Sequence, residues 1–231
     1  MKIWIIVPAA GIGKRFSRKM SKQYERFLDV TVLEFTLMRL LKIDHIKIVV
    51  TVSANDKVWK KLDIFKKSSI EVIAGGEERA DSVRLALEHI KEKAEKNDWV
   101  LIHDGVRPCV RVSDILSLIS QLSSDQVGGI LAAPVIGTLK RVTSKGCVSL
   151  TEDRSNLWEA QTPQMFRFTL LYQALKHAET IGWKPTDESA AMERIGCSPR
   201  VIEGRQDNIK ITRQEDIVVA EAIVLSQQEE V

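Results

Sequence analysis

VPAAGIGKRFSRKMSKQY, residues 7–24, is the stretch around which the rest of the chain is organised. The stretch begins at the last residue of an apolar run, residues 3–7. The continuous hydrophobicity of this run is typical of a strand buried on both faces of a sheet. Pro8 closes this strand because proline cannot donate to a central ladder. In the following turn, residues 9–13, all side chains except that of Ile12 are small, so backbone N–H groups can approach a ligand closely. The stretch predicts a binding turn at a strand end.

Dense positive charge follows this turn, with five cations before the first acid at Glu25: Lys14, Arg15, Arg18, Lys19 and Lys22. A small-residue turn flanked by cations is typical of polyphosphate binding. The spacing excludes a P-loop, because the glycines are two residues apart and no Lys-Ser/Thr pair follows them. Phe16 stands where a dinucleotide fingerprint requires a third small residue. Taken alone, the stretch also allows an ordinary turn with a solvated basic flank.

The composition of the 231 residues, 44% hydrophobic and 28% charged, is that of a globular protein, and we expect a single domain over residues 1–231. A net charge of +3 is too mild to indicate nucleic-acid binding. The three widely spaced cysteines indicate reduced thiols and a cytoplasmic protein. No apolar run approaches the length of a membrane span, so we expect no membrane association.

Strand and helix patterns alternate along the chain, which predicts an α/β fold. The expected architecture is a Rossmann-like, mostly parallel twisted sheet with helices on both faces. Apolar runs predict strands at residues 3–7, 46–52, 70–74, 99–102 and 129–135, and a further strand is expected at 200–203. Thr31–Glu34 and Thr212–Glu215 match capping boxes, and a further helix is expected from 53–56 through Phe65.

Residues 138–142 and 147–151 are short alternating segments around a Ser-Lys-Gly turn, which predicts a β-hairpin. The hairpin is too polar for a core, so we expect residues 136–157 to form an arm that projects from the domain. Helices are expected at 168–179 and 188–194.

Charged and glycine residues follow the predicted strands at their carboxyl ends, where open parallel sheets bind ligands. Asp104 and Arg107 follow the fourth strand, Gly75–Arg79 follow the third, and Lys210 lies in a charged segment late in the chain. Asp104 could equally be a turn aspartate, Lys210 a solvated lysine, and His103 is interpreted as structural. Together these groups could bind a nucleoside triphosphate with Mg²⁺.

Seven motifs in order across residues 7–216 resemble the 2-C-methyl-D-erythritol 4-phosphate cytidylyltransferase family. They are A-A-G-x-G-x-R with K-Q-Y, G-G-x-x-R-x-x-S-V, H-D-x-x-R-P, T-x-K-R-V, L-W-x-A-Q-T-P-Q-x-F, T-D-E and D-N-I-K-I-T. The resemblance implies CMP transfer from CTP to a sugar-alcohol phosphate, with release of pyrophosphate, in non-mevalonate isoprenoid synthesis. It also implies a homodimer interlocked by the arm, with shared active sites.

The resemblance implies catalytic roles for Arg15, Lys22 and Lys210, which neutralise charge on the triphosphate. Mg²⁺ is held mainly by the triphosphate, with Asp104 as a candidate ligand. The implied nucleotide-binding residues are Pro8, Ala9, Ala10, Gly11, Gly13, Gly76, Glu77, Ser82, Asp104 and Gly105. The implied substrate-binding residues are Arg107, Thr138, Arg154 and Asp207.

Three positions depart from the family pattern: Ser21 replaces a proline, Gly105-Val106 replaces Ala-Ala, and Gly137 replaces an acid. A ribitol-5-phosphate cytidylyltransferase is the closest alternative, because it would share the CTP half of the site. The Val-Pro-Ala-Ala-Gly start and the Trp-x-Ala-Gln-Thr-Pro-Gln block favour methylerythritol phosphate. A non-catalytic nucleotide-binding subunit is the alternative from another class, and the retained cations speak against it.

Overall fold

A computed structural model describes residues 2–11 and 21–228 of the chain. Its strands are β1 (Ile3–Pro8), β2 (Arg26–Phe27), β3 (Val30–Thr31), β4 (Ile46–Val52), β5 (Glu71–Ala74), β6 (Trp99–Ile102), β7 (Gly128–Pro134), β8 (Lys140–Val142), β9 (Val148–Thr151), β10 (Trp158–Arg167) and β11 (Arg200–Glu203). Its α-helices are α1 (Val32–Leu40), α2 (Asp63–Lys67), α3 (Arg79–Ile90), α4 (Val112–Leu122), α5 (Phe168–Thr180), α6 (Glu188–Arg194) and α7 (Glu215–Gln228). Two 3-10 helices cover Lys22–Tyr24 and Trp59–Lys61.

The described part of the chain builds a seven-stranded sheet in the order β11-β7-β10-β6-β1-β4-β5. All neighbouring pairs are parallel except those of β10, which runs antiparallel to both β6 and β7. The expected mostly parallel α/β fold is therefore confirmed. The strand order places the ends of β1, β5 and β6, and the turns that follow them, along one edge.

β1 lies between β4 and β6, and its side chains alternate between two buried layers. Ile5 and Val7 pack with the inner face of α1, around Leu33 and Leu37, whereas Trp4 packs with α3 and α5 on the other side. Helices cover both faces, which explains why an uninterrupted apolar run forms this strand. The same burial at its carboxyl end fixes the start of the ligand-binding turn.

Two local predictions are wrong. The helix expected over 53–65 is replaced by a turn, a 3-10 helix and the short α2, because the Asp56 carboxylate accepts the backbone N–H of Val58 and the hydroxyl of Tyr24. The capping box at Thr31 is confirmed. The capping box predicted at Thr212–Glu215 is the second wrong prediction: the acid that accepts the Thr212 N–H and hydroxyl is Asp216, not Glu215.

β10 has no counterpart in the sequence-based prediction. Its sequence, WEAQTPQMFR, contains a proline and several polar residues, so it lacks the apolar run that marks the other central strands. The register shifts between Ala160 and Gln164, and the Thr162–Pro163 peptide bond is cis. Its second half is buried and carries Gln161, Thr162 and Gln164 toward the site described below.

The predicted hairpin forms as β8 and β9, which pair antiparallel. Apolar side chains on and beside it are exposed, including Ile136, Val142, Val148 and Leu150. A role of this arm in dimerisation stays a prediction. Among the described helices, none combines the length and the apolar character needed to cross a membrane.

Candidate active site

A cavity of about 160 Å³ opens at the carboxyl ends of β1, β5 and β6. Its lining combines the small residues after β1, the Gly76 turn after β5, and charged side chains from three segments. The lining residues are Pro8, Ala9, Ala10, Gly11, Lys22, Gln23, Gly76, Glu77, Glu78, Arg79, Ser82, Asp104, Gly105, Val106 and Lys210. The structure thus brings together eleven of the predicted residues: Lys22, Lys210, Pro8, Ala9, Ala10, Gly11, Gly76, Glu77, Ser82, Asp104 and Gly105.

The turn after β5 is held against α3 by Ser82. Its hydroxyl accepts the backbone N–H of Gly76 at 3.1 Å and donates to the carbonyl of Glu78 at 3.2 Å. A Cβ on Gly75 would lie 2.7 Å from both the Ala10 Cβ and the Ser82 Oγ, and one on Gly76 would clash with the Asp81 Cβ. Glycine is therefore required here for close approach of two chain segments.

Gly105 shows why one departure from the family pattern matters. A Cβ at this position would lie 3.0 Å from the Leu33 Cδ1 and 3.2 Å from the Val7 Cγ1. An alanine here would require the Leu33 and Val7 side chains to shift by a few tenths of an ångström. The neighbouring Val106 fills the other side, where it packs among buried residues including Phe27 and lines the cavity.

Lys22 and Gln23 of the Lys-Gln-Tyr segment are hydrogen-bonded to two other segments at the site. Gln23 is buried and donates to the carbonyl of Ala9 at 2.8 Å, next to the nucleotide turn. The Lys22 ammonium donates to the Ile211 carbonyl at 3.0 Å, one residue from Lys210. Gln23 thus contacts the residue that follows β1, whereas Lys22 contacts the segment that carries Lys210, and Lys22 lines the cavity.

Asp104 is the centre of an ionic cluster. Its Oδ1 accepts the Arg79 Nε at 2.7 Å, and its Oδ2 lies 2.7 Å from the Lys210 Nζ and 3.7 Å from the Arg107 Nε. Burial alone would raise the pKa of Asp104, but attraction to Arg79, Lys210 and Arg107 holds it well below its usual range. Asp104 is therefore an ionised carboxylate that three cations orient.

Arg79 links Asp104 to a second buried carboxylate, Glu188, whose Oε1 lies 2.7 Å from the Arg79 NH1. Burial by itself would lower the pKa of Arg79, yet Glu188 and Asp104 raise it, so the guanidinium stays charged. Burial raises the pKa of Glu188, and attraction to Arg79 opposes that rise. The guanidinium spans two carboxylates at the first residue of α3.

His103 is structural, as interpreted from the sequence. It is fully buried, and burial lowers its pKa to about 4, so it is neutral at pH 7. Its Nε2 donates to the Arg107 carbonyl, and its Nδ1 accepts the Thr162 hydroxyl, each at 3.1 Å. The Thr162 Oγ1 in turn accepts the Asp104 N–H at 3.1 Å. This network sets the backbone of the loop after β6.

A second cavity, of about 280 Å³, shares Arg79, Asp104 and Lys210 with the first. The rest of its lining is polar except for Ala160: Arg107, Gln161, Thr162, Gln164, Thr186 and Asp187. The Arg107 NH1 donates to the Asn208 carbonyl at 2.6 Å, so this residue both holds a loop and lines the cavity. Three residues of the ionic cluster, Arg79, Asp104 and Lys210, thus form the wall between two adjacent cavities.

Five predicted residues are not placed at these cavities: three described residues are absent from both linings, and two lie outside the described residues. Gly13 and Arg15 lie outside the described residues. Thr138 and Arg154 are exposed on the arm segment, away from both linings, and Asp207 pairs with Arg111 at 3.0 Å. These five assignments stay predictions.

Two charged residues of the cluster are absent from the predicted site. Arg79 stands in the G-G-x-x-R motif after β5, and Glu188 ends the T-D-E motif. For Arg79, the signal was a cation directly after a strand end. Glu188 gives no such signal, because it reaches the cluster through the fold of α6 against β10.

Mg²⁺ at this site would be held mainly by a substrate, because both oxygens of Asp104 are already paired with cations. Within the described ranges, no three or more His, Cys, Asp and Glu side chains form a group that could hold a metal alone. Asp104 supplies one ionised carboxylate at the cavity. One or two carboxylates with substrate phosphates are the usual protein ligands of Mg²⁺ in nucleotide enzymes.

Comparison with known proteins agrees with the motif resemblance. Residues 3–226 match the family model described as IspD: 2-C-methyl-D-erythritol 4-phosphate cytidylyltransferase. A protein of that name from Hahella chejuensis is 45% identical over 232 residues, covering 99% of this chain and 96% of the relative. A crystal structure of 4-diphosphocytidyl-2C-methyl-D-erythritol synthase superposes with a TM-score of 0.84 at 35% identity, covering 96% of this chain and 98% of the other. The Francisella tularensis cytidylyltransferase structure superposes with a TM-score of 0.81 at 36% identity, covering 96% and 100%.

Proposed function

Since this chain belongs to the 2-C-methyl-D-erythritol 4-phosphate cytidylyltransferase family, we propose that it transfers CMP from CTP to 2-C-methyl-D-erythritol 4-phosphate. The products are 4-CDP-2-C-methyl-D-erythritol and pyrophosphate, in non-mevalonate isoprenoid synthesis. The observation that carries the proposal is the cationic wall of Arg79 and Lys210 around Asp104, which two adjacent cavities share. Such a wall can hold the α-phosphate of CTP within reach of a second phosphate.

The first cavity suits CTP. Backbone groups at Ala9, Ala10 and Gly76 and the carboxylate of Glu77 can address the base, while Gly11 can bring a backbone donor to the phosphates. The family resemblance implies the same role for Gly13. Ser82 shapes the Gly76 turn. A site of fixed polar groups rejects the wrong base mainly by leaving those groups unpaired.

The reaction needs no general base, because a phosphate monoester is already ionised at pH 7. An oxygen of that phosphate attacks the α-phosphorus, the new P–O bond forms, and the bond to the bridging β-phosphate oxygen breaks to release pyrophosphate. Lys22, Lys210 and Arg15 neutralise the charge that builds on the α-phosphoryl and pyrophosphate oxygens. Mg²⁺ with the triphosphate would supply further charge neutralisation, held in part by Asp104.

The second cavity suits the alcohol phosphate. Arg107 lines it, and Thr138, Arg154 and Asp207 are proposed to complete it. Thr138 and Arg154 lie on the arm, so in this proposal the arm reaches the site of a second copy and the active form is a homodimer. The exposed apolar side chains of the arm, such as Val142 and Val148, support that arrangement.

The same proposal includes a cytoplasmic protein without nucleic-acid or membrane partners. Cys109, Cys147 and Cys197 are free, which suits a reducing compartment.

The test is steady-state pyrophosphate release with CTP and Mg²⁺, comparing methylerythritol 4-phosphate with ribitol 5-phosphate, and CTP with ATP. We expect turnover with CTP and methylerythritol phosphate alone. Turnover with ribitol phosphate alone would keep the mechanism and overturn the substrate. A folded protein that binds CTP without turnover on either alcohol phosphate would favour a non-catalytic nucleotide-binding subunit.

A further inference from the structure

The position of Glu188 is fixed by hydrogen bonds between its neighbours in α6 and strand β10 of the sheet. It is the first residue of α6, whose N-cap Asp187 accepts the backbone N–H of Ala190 at 2.9 Å. Gln164 of β10 donates to the second Asp187 carboxylate oxygen and accepts the backbone N–H of Ser189, each at 2.9 Å. The residues on both sides of Glu188 are therefore tied to the antiparallel strand.

The Glu188 side chain is 1% exposed and meets the ionic cluster through Arg79. Among the residues described, its Oε2 has no hydrogen-bond partner, and neither has the Arg79 NH2. A buried carboxylate with an unsatisfied oxygen costs stability relative to an apolar residue of the same volume. The presence of Glu188 beside the cluster is therefore not explained by a gain in folding stability.

The charges of the cluster show what Glu188 contributes. Arg79, Arg107 and Lys210 carry three positive charges against two negative charges on Asp104 and Glu188. Among the described residues, the ion pair of Glu188 is with the Arg79 NH1, and Arg79 pairs with Asp104 through its Nε. Without the Glu188 charge, the whole attraction of the guanidinium would fall on Asp104, and the cavities would face one more uncompensated positive charge.

We propose that Glu188 is a positioning residue for the transfer reaction. It holds the Arg79 guanidinium at the wall between the cavities, so that Arg79 pairs with the Oδ1 of Asp104 and not with its Oδ2. The Oδ2 edge and Lys210 can then separate, and Lys210 turns to the reacting phosphates. This inference rests on the proposed function, and it predicts a loss of turnover without a loss of CTP affinity.

The test compares Glu188→Gln with the wild type and with Glu193→Gln, a matched control on the exposed side of the same helix. For Glu188→Gln we expect kcat to fall about tenfold, because the reacting groups are misplaced. The Kd for CTP, measured by calorimetry in EDTA, is expected to stay unchanged or to decrease, because the cavity gains positive charge. Glu193→Gln should change neither quantity.

An unchanged kcat, or a Kd for CTP that rises together with a fall in Tm, would overturn the proposal in favour of a purely structural role. Arg79→Lys keeps the charge but cannot bridge two carboxylates, so it provides a second route. If Glu188 acts through Arg79, Glu188→Gln should cause little further loss of kcat in the Arg79→Lys background. A full additional loss there would contradict the proposal.

The proposed function and the proposed role of Glu188 can fail independently of each other, and the measurements distinguish the two cases. A wild-type enzyme without turnover on CTP and methylerythritol phosphate would contradict the function, whatever the variants do. The calorimetric comparison of Glu188→Gln with wild type would still decide the charge argument, because it needs CTP binding and no turnover.

Discussion

Lys210 and Lys22 both have partners within the chain, and a bound substrate has to compete with them. The Lys210 ammonium lies 2.7 Å from Asp104, and the Lys22 ammonium donates to the Ile211 carbonyl. A triphosphate in its ground state gains only part of the attraction of each lysine. As negative charge builds on the leaving pyrophosphate, the balance moves toward the phosphates. These lysines are therefore suited to the transition state.

Lys22→Ala and Lys210→Ala should each lower kcat by about 10²–10³, a magnitude typical of the loss of one preorganised charge-stabilising group. The Kd for CTP should change much less, because the charge that each lysine offsets is largest in the transition state. Kinetics and CTP calorimetry measure the two quantities, with the exposed Lys42→Ala as control. Equal losses in kcat and affinity would contradict the assignment of these cations to developing charge.

His103 predicts an acid-sensitive fold. Burial holds its pKa at about 4, below the value of about 6.5 in an unfolded chain. Between those values the unfolded state binds the extra proton, so stability falls as pH decreases. His103 alone should lower the free energy of unfolding by about 3 kcal/mol between pH 7 and pH 4. Urea unfolding measures this.

Nearby Asp104 and Glu188 also titrate in acid, so the His103 contribution is read as a difference between variants. His103→Gln should show a shallower loss of stability between pH 6.5 and pH 4 than wild type does. His45→Asn, which replaces an exposed histidine, should behave as wild type does. The same slope in His103→Gln as in wild type would contradict a depressed pKa of His103.

The site residues that follow strand ends were predictable one by one, because a buried strand fixes where the next residues lie. Asp104 follows β6 and Gly76 follows β5, and both line the cavity. Glu188 was not predictable in this way, because its place depends on hydrogen bonds between α6 and Gln164 of an antiparallel strand. Tertiary contacts of that kind leave no periodic trace in the sequence.

At the scale of elements, apolar runs predicted the parallel strands closely. The bounds of β4, β6 and β11 agree with the predicted ones residue for residue, because each is a compact run with a polar break behind it. β10 was missed because, although it pairs with β6 and β7 along both edges, its sequence is rich in the polar side chains that line the second cavity. The polar residues that line the cavity interrupt the hydrophobic pattern by which a buried strand is recognised in a sequence.

The turn between β5 and α3 gives a prediction at this scale. Gly75→Ala would place a Cβ 2.7 Å from both Ala10 and Ser82, so the nucleotide turn after β1 and the N-terminus of α3 must move apart. We expect a loss of about 1–3 kcal/mol in the free energy of unfolding and a weaker affinity for CTP. Urea unfolding and CTP calorimetry test this.

Gly137→Ala is the matched control, because no atom lies within 4 Å of a Cβ built there. It should leave stability and CTP affinity unchanged. If Gly75→Ala also leaves both unchanged, the close packing of the two turns is not what shapes the nucleotide cavity.

At the scale of the whole molecule, the question is whether a single chain forms a complete active site or needs the arm of a second chain. Thr138 and Arg154 line neither cavity of their own chain, although the family resemblance associates them with the alcohol phosphate. A homodimer in which each arm completes the partner's site would reconcile the two observations. In that arrangement Arg154→Ala should raise KM for the alcohol phosphate, whereas Lys145→Ala, at the hairpin turn, should leave it unchanged.

Mixed dimers test the shared site directly. Lys22→Ala and Arg154→Ala chains are each impaired, but random mixing puts both changes in one site of each mixed dimer and leaves the other site intact. The mixture should therefore recover about a quarter of wild-type activity. Activity no higher than the mean of the two separate variants would show that Lys22 and Arg154 act within one chain, or not in one site.

The transfer of CMP to an intact phosphate monoester is most directly tested by the ³¹P NMR spectrum of CTP, Mg²⁺ and methylerythritol 4-phosphate with catalytic enzyme. We predict two coupled resonances of a diphosphate diester and one of pyrophosphate, rising in equal amounts as both substrates disappear. The cationic wall around Asp104 would then hold the α-phosphorus as the reacting centre. Formation of CDP with a doubly phosphorylated polyol, or of CMP with the alcohol phosphate unchanged, would contradict this account.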